Sequence, residues 1–174
     1  MKKIIATIIA CLIMCITVSA KTYTISNEGM EFIKQYEKCV LTAYADGGGW
    51  SIGYGHHGDD VYEGMTITKE QANEFFKQDI KKFEKAVNRL IDNLPYEYEF
   101  SQGFIDGLFS FVYNCGEGGA KSSTFYERLL KCRVVNGVMN EEDFLYTVAA
   151  IKESKISAPG HKKRRYDEHM LMLS

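Results

Sequence analysis

The hydrophobic positions of this chain change rhythm several times. Ile4 to Val18 run without a single charged residue. Met30, Phe32, Ile33 and Tyr36 then recur at helical spacing behind Ser26, a residue type whose hydroxyl can satisfy a free N–H at a helix start. This predicts a first helix reaching about Lys38. Between Val40 and Tyr54 the period shortens to two. Trp50, Ile52 and Tyr54 alternate with Ser51, Gly53 and Gly55, the pattern of a half-buried strand. Gly47-Gly48-Gly49 reads as the turn of a hairpin whose first strand is Leu41 to Ala45, and Met65 to Ile67 predicts one more short strand.

From Thr68 the helical period returns. Thr68-Lys69-Glu70-Gln71 matches a capping box, in which threonine and glutamine each satisfy a backbone N–H. Behind it Ala72, Phe75, Phe76, Ile80, Phe83, Val87, Leu90 and Ile91 form one stripe, which reads as core. Further helical patterns cover 101–113, 124–131, 140–153 and about 162–173. Pro95 and Pro159 fall between these patterns. One helix, a small antiparallel sheet and then only helices is the order of an α+β fold.

The uncharged N-terminal run does not belong to that domain. Lys2 and Lys3 precede it and Val18-Ser19-Ala20 closes it with small residues, the layout of a secretory signal peptide. Residues 1–20 are therefore expected to direct export to the periplasm or the extracellular space, with a signal anchor as the alternative, and 21–174 to form one domain. The whole chain carries a net charge of −2 and is 13% aromatic. Losing Lys2 and Lys3 makes it more acidic, so no global field draws it to nucleic acid. Lys162-Lys163-Arg164-Arg165 is too short to reverse this and reads as a solvated helix face. Cys39, Cys115 and Cys132 would remain after cleavage, and export permits a disulfide whose pairing the sequence leaves open.

Candidate chemistry concentrates between Glu37 and His57. Glu37 continues the helical stripe of Met30 and Ile33, which places its carboxyl at the core edge, where desolvation favours the protonated acid. Asp46 opens the glycine turn, and Ser51 lies on the return strand roughly opposite it. The glycines themselves serve the turn or clear bulk beside a groove. An acid at a helix end, a carboxylate at a turn and a hydroxyl facing it are the parts glycoside hydrolysis uses. His56-His57-Gly58-Asp59-Asp60 reads as structural, with His56 tying down the hairpin end. Adjacent histidines in extended chain project apart, and no third ligand is spaced for zinc.

Glu37, eight residues, Asp46 and then Trp50-Ser51-Ile52-Gly53-Tyr54-Gly55-His56 closely resemble the phage-type lysozymes, glycoside hydrolase family 24. Gly64-Met65-Thr66-Ile67-Thr68, Phe109-Ser110-Phe111-Val112-Tyr113-Asn114-Cys115-Gly116, Lys121-Ser122-Ser123-Thr124 and Pro159 to Arg165 resemble later family segments in the same order. The resemblance implies a lysozyme-like fold, with a small sheet lobe, a larger helical lobe and a cleft between them. It implies a monomer that needs no cofactor, metal or protein partner and hydrolyses the β-1,4 bond between N-acetylmuramic acid and N-acetylglucosamine in peptidoglycan. Glu37 would be the general acid and Asp46 would hold the attacking water. Ser51 would stand where the family has threonine, and Tyr113 and Asn114 would contact the glycan. Two departures stand out: four residues separate Asp46 from Ser51 where the family has five, and the hydroxyl residue is serine. Lytic transglycosylase action and glycan binding without catalysis are the alternatives.

Overall fold

The computed structural model describes residues 21–154 and 159–174. The expected signal segment lies outside the described residues. Helix α1 (Asn27–Tyr36) leads into strands β1 (Val40–Asp46), β2 (Gly49–Gly53) and β3 (His56–His57). They form an antiparallel sheet in the order β1-β2-β3. The remainder is helical: α2 (Lys69–Asp92), α3 (Gln102–Lys121), α4 (Thr124–Leu129), α5 (Glu141–Ala149), a 3-10 turn (Ala150–Glu153) and α6 (Pro159–Met172). A second hairpin, β4 (Val134–Val135) and β5 (Val138–Met139), interrupts that series. The fold class is the predicted α+β, and the β4–β5 hairpin departs from the expected run of helices alone.

Local chemistry explains the boundaries. The Ser26 hydroxyl accepts from Gly29 N at 2.9 Å and caps α1. At the head of α2 both halves of the capping box form, Gln71 N to Thr68 Oγ1 at 3.2 Å and Thr68 N to Gln71 Oε1 at 2.8 Å. Helix α1 ends two residues before the expected Lys38. Glu37 turns extended (φ −93°, ψ 117°) while its N–H still reaches Ile33 O, so it caps the helix and starts the link to the sheet. Gly47 and Gly48 both take positive φ (55° and 90°), the requirement of a two-residue type I′ hairpin turn. Met65 to Ile67 adds to the free side of β1 through the bridge between Thr42 and Thr66. Helix α3 runs past the expected Tyr113 to Lys121, with a kink at Gly116 (φ 70°, ψ 165°).

The core lies among the helices. Phe76, Val87 and Leu90 of α2, Phe104, Leu108, Phe109 and Phe111 of α3, and Phe125 of α4 are all buried. Helix α3 is the central element, packed against α1, α2, α4 and α6. Its position fixes α1 as well, since Asp106 of α3 accepts from Ser26 N at 2.9 Å. No helix of the described residues is long and apolar enough to cross a membrane.

Candidate active site

Glu37 stands where α1 gives way to β1, and its side chain is 23% exposed. Its setting is ionic, not the apolar edge expected from the helical stripe. Arg164 of α6 donates from Nη1 to Glu37 Oε1 at 2.6 Å. Among the described residues Glu37 Oε2 accepts no hydrogen bond. Arg164 is itself buried, with Nε at 3.1 Å from Glu168 Oε1 and Nη2 at 3.0 Å from Ser110 O. Arg165 is also buried and bonds Glu168 Oε2 and Asn114 Oδ1. The solvated basic face expected at 162–165 is thus corrected in half. Lys162 and Lys163 are exposed, but Arg164 and Arg165 point into the protein. Two buried guanidiniums need a counter-charge, and Glu168, three and four residues along the same helix, supplies it. Burial pushes the Glu168 carboxyl up, while Arg165, Arg164 and the Ser110 hydroxyl pull it back.

On the sheet, β1 and β2 pair Tyr44 with Ser51, Ala45 with Trp50 and Asp46 with Gly49. Ser51 is therefore the diagonal neighbour of Asp46, on the same face, and its true opposite is Tyr44. The contact is made nonetheless, with Ser51 Oγ donating to Asp46 Oδ2 at 2.9 Å. Gly47 and Gly48 make a two-residue connection that pairs Asp46 with Gly49, and the register shifts only farther along, between Val40 and Tyr44. Asp46 is exposed and Ser51 fully buried, so the serine holds the carboxylate from below.

Tyr44, which nothing in the sequence singles out, feels the charge of both carboxylates. Burial raises its phenol pKa, the charges of Asp46 and Glu37 raise it further, and the Ser51 hydroxyl opposes them. Tyr113 of α3 also feels Glu37, although burial is the main reason its phenol is pushed up. Its hydroxyl donates to Tyr54 O at 2.8 Å, and its ring packs on Phe83 and Phe76. The structure joins Asp46 and Ser51 by a hydrogen bond, and the charge of Glu37 acts on both Tyr44 and Tyr113. Asn114 is half-buried, its Oδ1 held by Arg165.

The two histidines do project apart. His56 is buried against α2, stacked on Phe75 at 4.2 Å, with Nδ1 at 2.9 Å from Asp79 and Nε2 at 3.2 Å from Asp60. His57 lies on the sheet with Nδ1 at 3.1 Å from Ser51 Oγ. Among the described residues no group of three or more His, Cys, Asp or Glu side chains is arranged to hold a metal ion. A broad surface depression bounded by Tyr23, Tyr96, Tyr98 and Phe100 contains none of these residues.

A family model described as phage lysozyme matches residues 34–168, a span that contains the whole of this site. The endolysin of Acyrthosiphon pisum secondary endosymbiont phage 1 is 32% identical over 152 residues, covering 86% of this chain and 98% of that protein. The endolysin of Bacillus phage PZA is 35% identical over 108 residues, covering 60% of this chain but only 40% of that relative's length. Among solved structures, the muramidase domain of SpmX from Asticaccaulis excentricus matches with a TM-score of 0.69 at 27% identity, covering 87% of this chain and 99% of that one. Matched through most of its length by both sequence and fold, the chain belongs to the phage lysozyme family.

Proposed function

We propose that this chain is a muramidase, exported after removal of residues 1–20, that hydrolyses the β-1,4 bond between N-acetylmuramic acid and N-acetylglucosamine in peptidoglycan. The observation that carries the reading is the bond from Ser51 Oγ to Asp46 Oδ2 at 2.9 Å, kept across a shortened turn. It leaves an exposed, oriented carboxylate on the sheet, while Arg164 anchors the Glu37 carboxyl at the end of α1.

The chemistry follows from that arrangement. A water held by Asp46 attacks the anomeric carbon and gives its proton to the Asp46 carboxylate. The glycosidic C–O bond breaks as Glu37 delivers a proton to the departing oxygen, from the Oε2 that Arg164 leaves open. One water is added across the bond, and the two carboxyls exchange protonation states and reset through solvent. Because water attacks directly, the product anomer is inverted. Two carboxyls and water suffice, so the reaction calls for no cofactor, and a monomer holds the complete set. Tyr113 presents its ring and the lone pairs of its hydroxyl to the glycan. Asn114 offers its amide nitrogen, since its oxygen is taken by Arg165.

The test is a cell-wall lysis assay of the parent and Glu37→Gln, with mass spectrometry of the products. Reducing ends and a loss of roughly 10²-fold or more in the variant support the reading. Anhydromuramic ends would identify a lytic transglycosylase, and an inert parent that still pulls down with walls would identify a binding protein.

A further inference from the structure

Ser51 is bonded on two sides. Asp46 Oδ2 lies 2.9 Å from its oxygen on one side and His57 Nδ1 lies 3.1 Å away on the other. Strand register produces this: Ser51 is directly opposite His57 on β3 and diagonal to Asp46 on β1, so all three share a face. The serine is fully buried, and its two hydrogen bonds are to Asp46 and His57. A hydroxyl has one proton to donate and two lone pairs to accept with. An ionised Asp46 can only accept. The serine proton therefore goes to Asp46, and His57 Nδ1 must be the donor in the second bond.

The placement of the His57 ring is built in. A Cβ at Gly49 would stand 2.8 Å from His57 Cε1, so only glycine at that position lets the ring lie across the strand. The preceding His56 is pinned from the opposite face by Asp79, which fixes the backbone from which His57 projects.

We propose that His57 is a positioning residue for the hydrolytic water. By donating Nδ1–H to Ser51 it commits the single serine proton to Asp46, and so fixes the carboxylate that receives the proton of the water. This rests on the muramidase reading above. Were the neutral ring to carry its proton on Nε2, Nδ1 would accept from the serine instead, and Asp46 would lose its tie. Which ring nitrogen bears the proton is set by the bond the ring makes, so the tautomer reports the arrangement directly.

Two measurements on the full exported chain test this. In uniformly ¹⁵N-labelled protein at about pH 8, where an ordinary imidazole is neutral, long-range ¹H–¹⁵N correlations should show His57 protonated on Nδ1. The Ser51→Ala variant should move the proton to Nε2. An Nε2–H ring in the parent would overturn the proposal. Rates on soluble peptidoglycan oligomers give the second reading. His57→Asn places an amide N–H near the Nδ1 position and should keep kcat within about threefold. His57→Leu keeps bulk without a donor and should lower kcat about tenfold, the size of one positioned hydrogen bond, with KM unchanged. His57 is exposed, and thermal unfolding checks that both variants fold. Parental kcat in His57→Leu would sink this inference alone, whereas a parent that cleaves no oligomer would sink the muramidase reading and this inference with it.

Discussion

Arg164 reaches Glu37 across 127 positions of sequence, Nη1 to Oε1 at 2.6 Å, and is itself almost wholly buried. The contact ties the end of α1 to α6, and Tyr36 and Asp167 bond beside it. The candidate acid is thus positioned by a helix near the other end of the chain. Arg164 serves three partners in one plane, Glu168, Ser110 and Glu37, which a guanidinium can do and an ammonium cannot.

Arg164→Lys should therefore keep the charge and lose the geometry. Small misplacements of a catalytic group cost up to about 10²-fold in rate. Wall-lysis rates should fall by one to two orders of magnitude in this variant, with a smaller change in thermal midpoint. A parental rate would show that Glu37 does not depend on this anchor.

Glu168→Gln should act on stability first. It leaves Arg164 and Arg165 buried without their shared carboxylate. Breaking a buried pair in this way costs about 3–5 kcal/mol. Urea unfolding should show an unfolding free energy lower by that amount, and activity should fall because Arg164 loses its own support. A shift within error would mean that solvent reaches the cluster.

The parts that sequence made legible are those settled by neighbours in the chain. The Ser26 cap, the Thr68–Gln71 box and the Gly47-Gly48 turn are each decided within a few residues, and each lies where the pattern predicts. The Val134 to Met139 hairpin was legible too, in Asn136-Gly137, whose positive φ values (53° and 73°) suit a two-residue turn. The helical patterns on either side, 124–131 and 140–153, leave this stretch without an element. The buried arginines were not legible. A run of four basic residues looks solvated unless one notices that Ser110, Asn114 and Glu168 converge on it, and two of those lie more than fifty positions away. For the same reason the apolar setting expected for Glu37 gave way to an ion pair. Tyr44 and His57 join the site only through strand register, which fixes who stands opposite whom.

The second hairpin carries a clean pH test. Arg133 bonds Asp143 through its side chain and its backbone N–H, holding the Asp143 carboxyl down to about 2. A carboxyl depressed below its unfolded value of about 3.9 stabilises the fold at any pH above that value. The contribution fades as pH falls from there through about 2. Asp143→Asn should therefore lower the urea midpoint near neutral pH and match the parent near pH 2. Parallel curves down to that pH would assign the loss to packing, not to charge.

Ser51 separates a role in chemistry from a role in packing. It is fully buried, so Ser51→Thr adds a methyl where the interior has little room, and overpacking typically costs about 1–3 kcal/mol. The same methyl restricts the hydroxyl's rotamers and preserves its donor and two lone pairs. Stability should drop by about 1 kcal/mol while wall lysis stays near or above the parental rate. Ser51→Ala removes the hydroxyl shared by Asp46 and His57 and fills nothing, so its lysis rate should fall about tenfold or more. Asp46→Ala should fall further, because the group that takes the water's proton is gone. In every variant that retains activity, NMR of freshly cleaved oligomers should show an inverted anomer, since neither Ser51 substitution creates a nucleophile. A retained anomer in the parent would replace direct attack by water with a covalent intermediate. Full activity in both alanine variants would remove the sheet face from the mechanism altogether.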